Sequence, residues 1–278
     1  MMLKNAPGSS TSIVSQLDKQ IIAQVNLLIP NNPLVSFTDL NVVAGGNAVW
    51  PLLQKDAKAA LQRAINERDQ TLVVNSAYRT IAQQFFLFIN KDRLGIPKVA
   101  PVGKSNHQSG LALDIEDHDG WKPYLKKYGW QWFGPSDSVH FSFGGEGNPN
   151  AQSYKIAAIK AFQKLWNLNN PDRILTVDGD VGPMTLARLG ESPIEGFSKG
   201  DKSSVNPLRR VLRLTDPLMQ GEDVRELQQA LIKMNFNLNA DGFFGTTTDA
   251  AIKKFQQDKD LIADGVVGLV TLKRMGLL

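Results

Sequence analysis

The chain has 278 residues, of which 42% are hydrophobic and 21% charged, with a formal net charge of +4 and no cysteine. Both fractions are close to those of folded globular proteins, which argues against a disordered or membrane-spanning class. Without cysteine there is no disulfide framework and no thiolate ligand, so any metal site must be built from His, Asp or Glu.

Helices and strands are intermixed over the first half of the chain. The predicted elements are a helix over 54–68, a strand opening into a loop over 71–80, a helix over 81–92, a strand over 109–117, a helix over 121–128, an extended segment over 130–134 and a strand over 139–143. This order lacks a regular strand–helix–strand rhythm. We therefore predict an α+β domain with a small, mainly antiparallel sheet.

A repeated motif marks the second half of the chain. The pattern Asp-Gly-x-x-Gly-x-x-Thr begins at Asp178, Asp241 and Asp264. Repeats of this kind indicate small stacked units, and the stretch between the first and second copies is rich in Ser, Gly, Pro and Lys, as in a linker. The predicted organisation is a first domain over 1–148, a partial repeat over 149–192, a linker over 193–213 and a small all-α domain over 214–278.

Two of the three histidines lie beside polar positions of predicted strands. Alternation in the strand over 109–117 places Asp114 on the polar face, and His140 points away from its neighbour Phe141. A turn at Gly110 allows His107 to approach from the preceding loop. Two imidazoles and one carboxylate are a suitable set for a catalytic zinc ion with a fourth position left for water.

Two further side chains could serve such a centre. Asp137, three residues before His140, can accept the proton of a bound water. Arg79 can hold a substrate carboxylate or a developing oxyanion. A histidine beside a strand is by itself more often a structural residue, and the acidic pair at 116–117 is either solvated or orients His107 from behind.

Three blocks, at 76–80, 105–117 and 130–143, resemble the signature blocks of the VanY-type D-alanyl-D-alanine carboxypeptidases, a family of zinc peptidases. The family pattern Ser-x-His-x-x-Gly-x-Ala-x-Asp is matched from Ser105 to Asp114. Asp137 stands where many members have Glu, which is one methylene longer. The resemblance implies a zinc peptidase-like fold and a set of site residues, namely His107, Asp114 and His140 as ligands of one zinc ion, Asp137 as the catalytic base, Arg79 as a catalytic and substrate-binding residue, and Gln84 and Ser105 as substrate-binding residues.

The C-terminal repeats resemble a peptidoglycan-binding domain of three short helices that is common in cell-wall hydrolases. Segments 221–236, 241–256 and 264–275 are similar to its successive parts, and 154–190 is similar to only its latter half. Asp, Gly and Thr at the repeated positions are turn-forming residues, which indicate the fold and do not identify the wall contacts.

Together, the two resemblances imply zinc-dependent hydrolysis of an amide bond in the peptide stem of bacterial peptidoglycan. Endopeptidase and D,D-carboxypeptidase activity both stay open, with a slight preference for the endopeptidase because of the wall-binding module. The alternative is a non-catalytic wall-binding protein with a vestigial zinc site.

Peptidoglycan is the expected partner, and the chain is expected to be a monomer. The one compact basic cluster, at 208–213, lacks interleaved aromatic residues, so nucleic acid is not expected. No apolar stretch is long enough to insert into a membrane. The first 30 residues lack a signal-peptide pattern, so action at the cell wall requires another route of export. A phage-type endolysin, which is released through a membrane lesion, would meet this requirement.

Overall fold

A computed structural model of the chain describes residues 1–46, 48–96, 98–145, 148–203 and 209–277. The chain divides into two compact units, one formed by Met1–Val42 with Ala48–Leu208 and the other by Val43–Asn47 with Arg209–Leu278. Part of the predicted linker, residues 204–208, lies outside the described residues. The predicted domain boundaries stay a prediction.

The described residues form helices, strands and short 3-10 turns in alternation. The helices are α1 (Ser15–Leu28), α2 (Lys55–Arg68), α3 (Ile81–Asn90), α4 (His118–Lys127), α5 (Pro149–Asn169), α6 (Pro183–Glu191), α7 (Glu222–Lys233), α8 (Thr246–Asp258) and α9 (Leu269–Met275). The strands are β1 (Val35–Ser36), β2 (Val42–Ala44), β3 (Leu52–Leu53), β4 (Leu72–Ser76), β5 (Ala112–Ile115), β6 (Trp130–Trp132) and β7 (His140–Phe143). No helix among these described segments has the length and apolarity needed to cross a bilayer.

A five-stranded sheet has the strand order β2-β4-β5-β7-β6. The pairings β4–β5, β5–β7 and β6–β7 are antiparallel. Strands β1 and β3 form a separate two-stranded antiparallel sheet. The predicted α+β class with a mainly antiparallel sheet is confirmed, and the helices α7 to α9 of the second unit fit a peptidoglycan-binding domain.

Strand β5 is shorter than the predicted strand over 109–117. Residues 106–109 form a 3-10 turn instead, which ends at Gly110 with a φ of 69°. A Cβ at Gly110 would lie 2.4 Å from the side chain of Leu34, so the turn requires glycine for both conformation and space. This turn lets the chain reverse direction before Ala112, which sets the approach of the preceding residues to the sheet.

Helices α1 and α5 pack together in the core of the first unit. Leu17, Ile21 and Val25 recur at helical spacing on α1 and are fully buried, as expected for the inner face of an amphipathic helix. Phe162 and Leu165 of α5 join the same hydrophobic cluster. The partial repeat predicted over 149–192 therefore contributes directly to the core of the first unit.

Each repeated Asp-Gly loop is held by a glutamine of the preceding helix. The glutamine Nε2 donates to the aspartate Oδ1, at 2.8 Å for Gln163–Asp178, 2.8 Å for Gln228–Asp241 and 2.9 Å for Gln256–Asp264. The glutamine Oε1 accepts from the next glycine N–H, at 3.0 Å for Gly179, 2.8 Å for Gly242 and 2.9 Å for Gly265. The shared bonds show that the partial repeat is a structural copy of the other two.

Candidate metal centre

Ser76, Asp114 and His140 form a row across three neighbouring strands. Ser76 is the register partner of Asp114 between β4 and β5, and Asp114 is the register partner of His140 between β5 and β7. Residues directly opposite in an antiparallel pair share a face of the sheet. His140 Nδ1 accordingly lies 2.8 Å from Asp114 Oδ1.

His107 reaches the same carboxylate from outside the sheet. It lies in the 3-10 turn Asn106–Ser109, and its Nε2 is 3.2 Å from Asp114 Oδ1. The His107 and His140 ring centroids are 5.0 Å apart. One nitrogen or oxygen atom from each of the three residues lies within 4.8 Å of the other two, a spacing suited to ligands of one metal ion.

The second nitrogen of each imidazole is bound by the protein. His107 Nδ1 lies 2.8 Å from the carbonyl oxygen of Ala77, and His140 Nε2 lies 3.1 Å from Ser142 Oγ. Because a carbonyl only accepts, Nδ1 of His107 carries the hydrogen and Nε2 is left with a lone pair. Such outer contacts fix the tautomer and orientation of metal-binding histidines, so the donor set fits a zinc ion.

Both residues of the acidic pair at 116–117 are exposed, and the group behind His107 is the Ala77 carbonyl. Asp117 instead pairs with Arg68, which stacks on the Trp121 ring at 4.4 Å from its centroid. This interaction ties the end of α2 to the start of α4. His107 is therefore oriented by the Ala77 carbonyl and not by an acidic neighbour of Asp114.

Burial and charge favour the protonation states that metal ligands need. Burial lowers the pKa of His107, and the nearby Asp114 charge only partly opposes this. Burial by itself raises the pKa of Asp114, but the charge and hydrogen bond of His107, with contributions from His140 and Arg79, hold that pKa well below its usual range. A neutral imidazole beside an ionised carboxylate can bind a divalent cation without first losing a proton.

Arg79 lies beside the three clustered side chains. Its guanidinium donates to Ser76 Oγ at 2.9 Å and to Gln84 Oε1 at 3.2 Å, and it lies 3.6 Å from Asp114 Oδ2. The Gln84 amide in turn donates to the carbonyl of Ala100 at 2.7 Å. Both ends of the Gln84 amide are therefore used within the protein, where they orient Arg79.

The remaining predicted residues lie around this cluster. Ser105 is buried at the N-cap of the 3-10 turn that carries His107. Asp137 is exposed at the end of a second 3-10 turn, Pro135–Asp137. Burial lowers the pKa of Arg79, and the carboxylates of Asp114 and Asp137 act in the opposite direction, which places the charge of Asp137 within electrostatic range of the guanidinium.

Sequence reasoning missed Phe133, whose ring lies edge-on to His140 at a centroid distance of 5.5 Å. Phe133 is 41% exposed and is the residue directly after β6. Nothing in the spacing of the sequence indicates this contact. Alternation along β7, in contrast, does place Ser142 on the same face as His140.

Two family models match separate parts of the chain. Residues 52–133 match the VanY family, described as D-alanyl-D-alanine carboxypeptidase, and 220–275 match a peptidoglycan binding domain family. The first segment includes Arg79, His107 and Asp114, whereas Asp137 and His140 follow its end. The resemblance that the sequence blocks indicated is confirmed for both regions.

Several curated relatives carry the name of another class of wall enzyme. N-acetylmuramoyl-L-alanine amidase CwlL of Bacillus licheniformis is 32% identical over 143 residues, which are 48% of this chain and 37% of that protein. A probable N-acetylmuramoyl-L-alanine amidase of the same species is 31% identical over 36% of this chain and 30% of its own length. N-acetylmuramoyl-L-alanine amidase XlyB of Bacillus subtilis is 31% identical over 38% of this chain and 33% of its own length. The matches thus span about a third of each relative, and no solved structure matches the chain.

Proposed function

We propose that the chain is a zinc-dependent peptidoglycan hydrolase that cleaves an amide bond of the peptide stem and binds the wall through its second unit. The observation that carries this proposal is the convergence of His107, Asp114 and His140, with both outer imidazole nitrogens bound by the protein. The family match over 52–133 and the wall-binding match over 220–275 support the substrate class.

The residues around the cluster divide the chemistry between them. A zinc ion held by His107, Asp114 and His140 would supply a water with a pKa lowered to roughly 7. The exposed carboxylate of Asp137 accepts a proton from the attacking water and passes it to the leaving amine. Arg79, whose fork is held by Ser76 and Gln84, binds a substrate carboxylate or the developing oxyanion.

An amide bond inside the peptide stem is the target that we favour over the amide that joins the stem to the glycan. The matched family segment is described as a D-alanyl-D-alanine carboxypeptidase and contains Arg79, His107 and Asp114. An endopeptidase is slightly favoured over a carboxypeptidase, because a wall-binding module raises the effective concentration of the enzyme on intact, insoluble wall. A phage-type endolysin and a bacterial remodelling enzyme would both use this combination.

An N-acetylmuramoyl-L-alanine amidase is the second candidate. The names of the similar Bacillus proteins favour it. It would also hydrolyse an amide, at the junction of stem and glycan, with the same kinds of catalytic groups. A non-catalytic wall-binding protein is the third candidate. The presence of all three candidate ligands and of Asp137 argues against it.

Products released from purified sacculi distinguish these functions. The full chain is loaded with zinc, its metal content is measured, and the products are identified by mass spectrometry. Free D-alanine indicates a carboxypeptidase, and new amino termini inside the stem indicate an endopeptidase. Stems that begin with a new amino-terminal L-alanine, together with stem-free glycan, indicate an amidase. Zinc-loaded protein that binds wall and releases no product would overturn the proposal of a hydrolase.

A further inference from the structure

We propose that Asp18 of α1 is a positioning residue that fixes Arg79 beside the candidate metal centre. This inference rests on the proposed function, because it assigns Asp18 a role through the substrate-binding arginine. Asp18 is far from the centre in sequence and has no catalytic motif around it. Its side chain connects α1 to Trp50 and Thr80.

Asp18 is a fully buried carboxylate with two hydrogen-bond donors. Trp50 Nε1 donates to its Oδ2 at 2.9 Å, and the hydroxyl of Thr80 donates to its Oδ1. Within the described parts of the chain, no Lys, Arg or His forms an ion pair with Asp18. A buried carboxylate without a cation is costly unless its hydrogen bonds are satisfied, so these two contacts hold Trp50 and Thr80 in place.

Thr80 transmits this contact to the helix that supports Arg79. It is the N-cap of α3, where its Oγ1 accepts the N–H of Gln83 at 3.1 Å. Donation to Asp18 orients the hydroxyl so that a lone pair faces that N–H. Gln84 is the next residue of this first turn, and its Oε1 accepts from the Arg79 guanidinium. Asp18 thereby sets the position of the amide that holds Arg79.

Trp50 fixes the other side of Arg79. The indole that donates to Asp18 belongs to the same residue whose carbonyl accepts the N–H of Tyr78 at 3.2 Å. Arg79 N–H itself donates to the carbonyl of His107 at 3.2 Å. Of the two chain neighbours of Arg79, Tyr78 is therefore held by Trp50 and Thr80 by Asp18 itself. Arg79 is joined directly to the 3-10 turn that carries His107.

The proposal predicts that Asp18 and Arg79 act as one unit in catalysis. A double-mutant cycle compares Asp18→Asn and Arg79→Lys, alone and together, by kcat/KM on a soluble stem peptide at full zinc content. The assay is run at about pH 8.5, above the raised pKa of Asp18, so that its carboxyl is ionised. We expect Asp18→Asn to lower kcat/KM about tenfold when Arg79 is present, and less than about twofold when position 79 is already Lys. The same loss in both backgrounds would overturn the positioning role.

Gln20 provides a matched control on the same helix. It is also buried, but its amide donates to the carbonyl of Phe197 at 3.0 Å and to neighbouring carbonyls, on a different side of α1 from Thr80. Gln20→Leu removes comparable hydrogen bonds, so any effect on kcat/KM should be unchanged by Arg79→Lys. Equal coupling of Gln20 and Asp18 to Arg79 would show a general loss of stability and would contradict the proposal.

A spectroscopic readout separates this inference from the proposed function. In 1H–15N NMR spectra, the Nε–H signal of Arg79 is identified by its loss in Arg79→Lys. This signal should shift or broaden in Asp18→Asn and Thr80→Val. It should be nearly unchanged in Gln20→Leu and closer to wild type in Thr80→Ser, which keeps the hydroxyl. An unaltered signal in Asp18→Asn would overturn the inference, whereas normal hydrolysis by Arg79→Lys would instead overturn the assigned role of Arg79.

Discussion

Asp114 and His140 are direct register partners on adjacent strands β5 and β7, with His140 Nδ1 2.8 Å from Asp114 Oδ1. Their relative position is set by the backbone ladder between the two strands. A slip of one residue would turn one of the two side chains to the opposite face of the sheet. Two of the three candidate ligands therefore lie on a rigid element, which favours a pre-formed metal centre.

Loss of one imidazole should remove the metal and the activity together. We expect His140→Ala to lose zinc and hydrolysis while the second unit still binds sacculi, because the ligand set is then incomplete. Zinc content, product release and wall binding are measured on the same preparation. His118→Ala is the control, since that histidine is outside the cluster. Stoichiometric zinc in His140→Ala would contradict the ligand assignment.

Asp137→Asn tests the proton acceptor. The amide is nearly isosteric and cannot take up the proton, so zinc should be retained while turnover slows by roughly 10² or more. Asp137→Glu should keep much of the activity, because it preserves the carboxylate. Asp119→Asn, which neutralises another exposed carboxylate of the same unit, controls for charge alone. Near-normal turnover by Asp137→Asn would remove this residue from the mechanism.

The buried carboxylate of Asp18 should make stability depend on pH. Burial raises the pKa of Asp18 from 3.8 to about 7, against the opposing effect of its hydrogen bonds with Thr80 and Trp50. Between these values the folded protein keeps a proton that the unfolded chain releases, so the free energy of unfolding falls as pH rises. The stabilisation is complete below about pH 4 and is lost as pH rises through about 7.

Comparison with Asp18→Asn isolates this effect, because the amide does not titrate and the other groups cancel. Wild type should lose up to about 1.4 kcal/mol per pH unit relative to the variant between about pH 5 and 7. Chemical denaturation at several pH values measures the difference. A difference that stays constant across this range would show that Asp18 is already ionised in the folded protein.

Gln228 should be essential to the second unit. Its amide binds Asp241, Gly242, Phe243 and Thr248 in one buried network. Gln228→Met removes these hydrogen bonds and should destabilise the unit by about 2–4 kcal/mol, with loss of wall binding. Hydrolysis of a soluble stem peptide by the first unit should be unchanged. The neighbouring Gln229→Met is exposed and should do little; equal effects of the two changes would refute the role of the network.

Local sequence patterns predicted the helices and strands between residues 54 and 143 closely, but they predicted neither α1 nor β1, β2 and β3. The helix expected over 54–68 is Lys55–Arg68, and the one expected over 81–92 is Ile81–Asn90. Alternation placed Asp114 away from the buried Leu113 and Ile115. The repeated Asp-Gly motif located the three similar loops of the second half. These features depend on residues a few positions apart, whose spacing follows directly from the period of a helix or strand.

Contacts between distant segments needed the folded chain. Asp114 and His140 are separated by 26 positions, and only the pairing of β5 with β7 makes them neighbours. The Ala77 carbonyl behind His107 carries no sequence signal, because every residue has a carbonyl. Asp18 is a single acidic residue in an amphipathic helix until packing buries it against Trp50 and Thr80. The sequence thus determined which chemical groups were available and on which local face each would lie. Tertiary structure decided which of them met, since strand register and helix packing are set by the whole core at once.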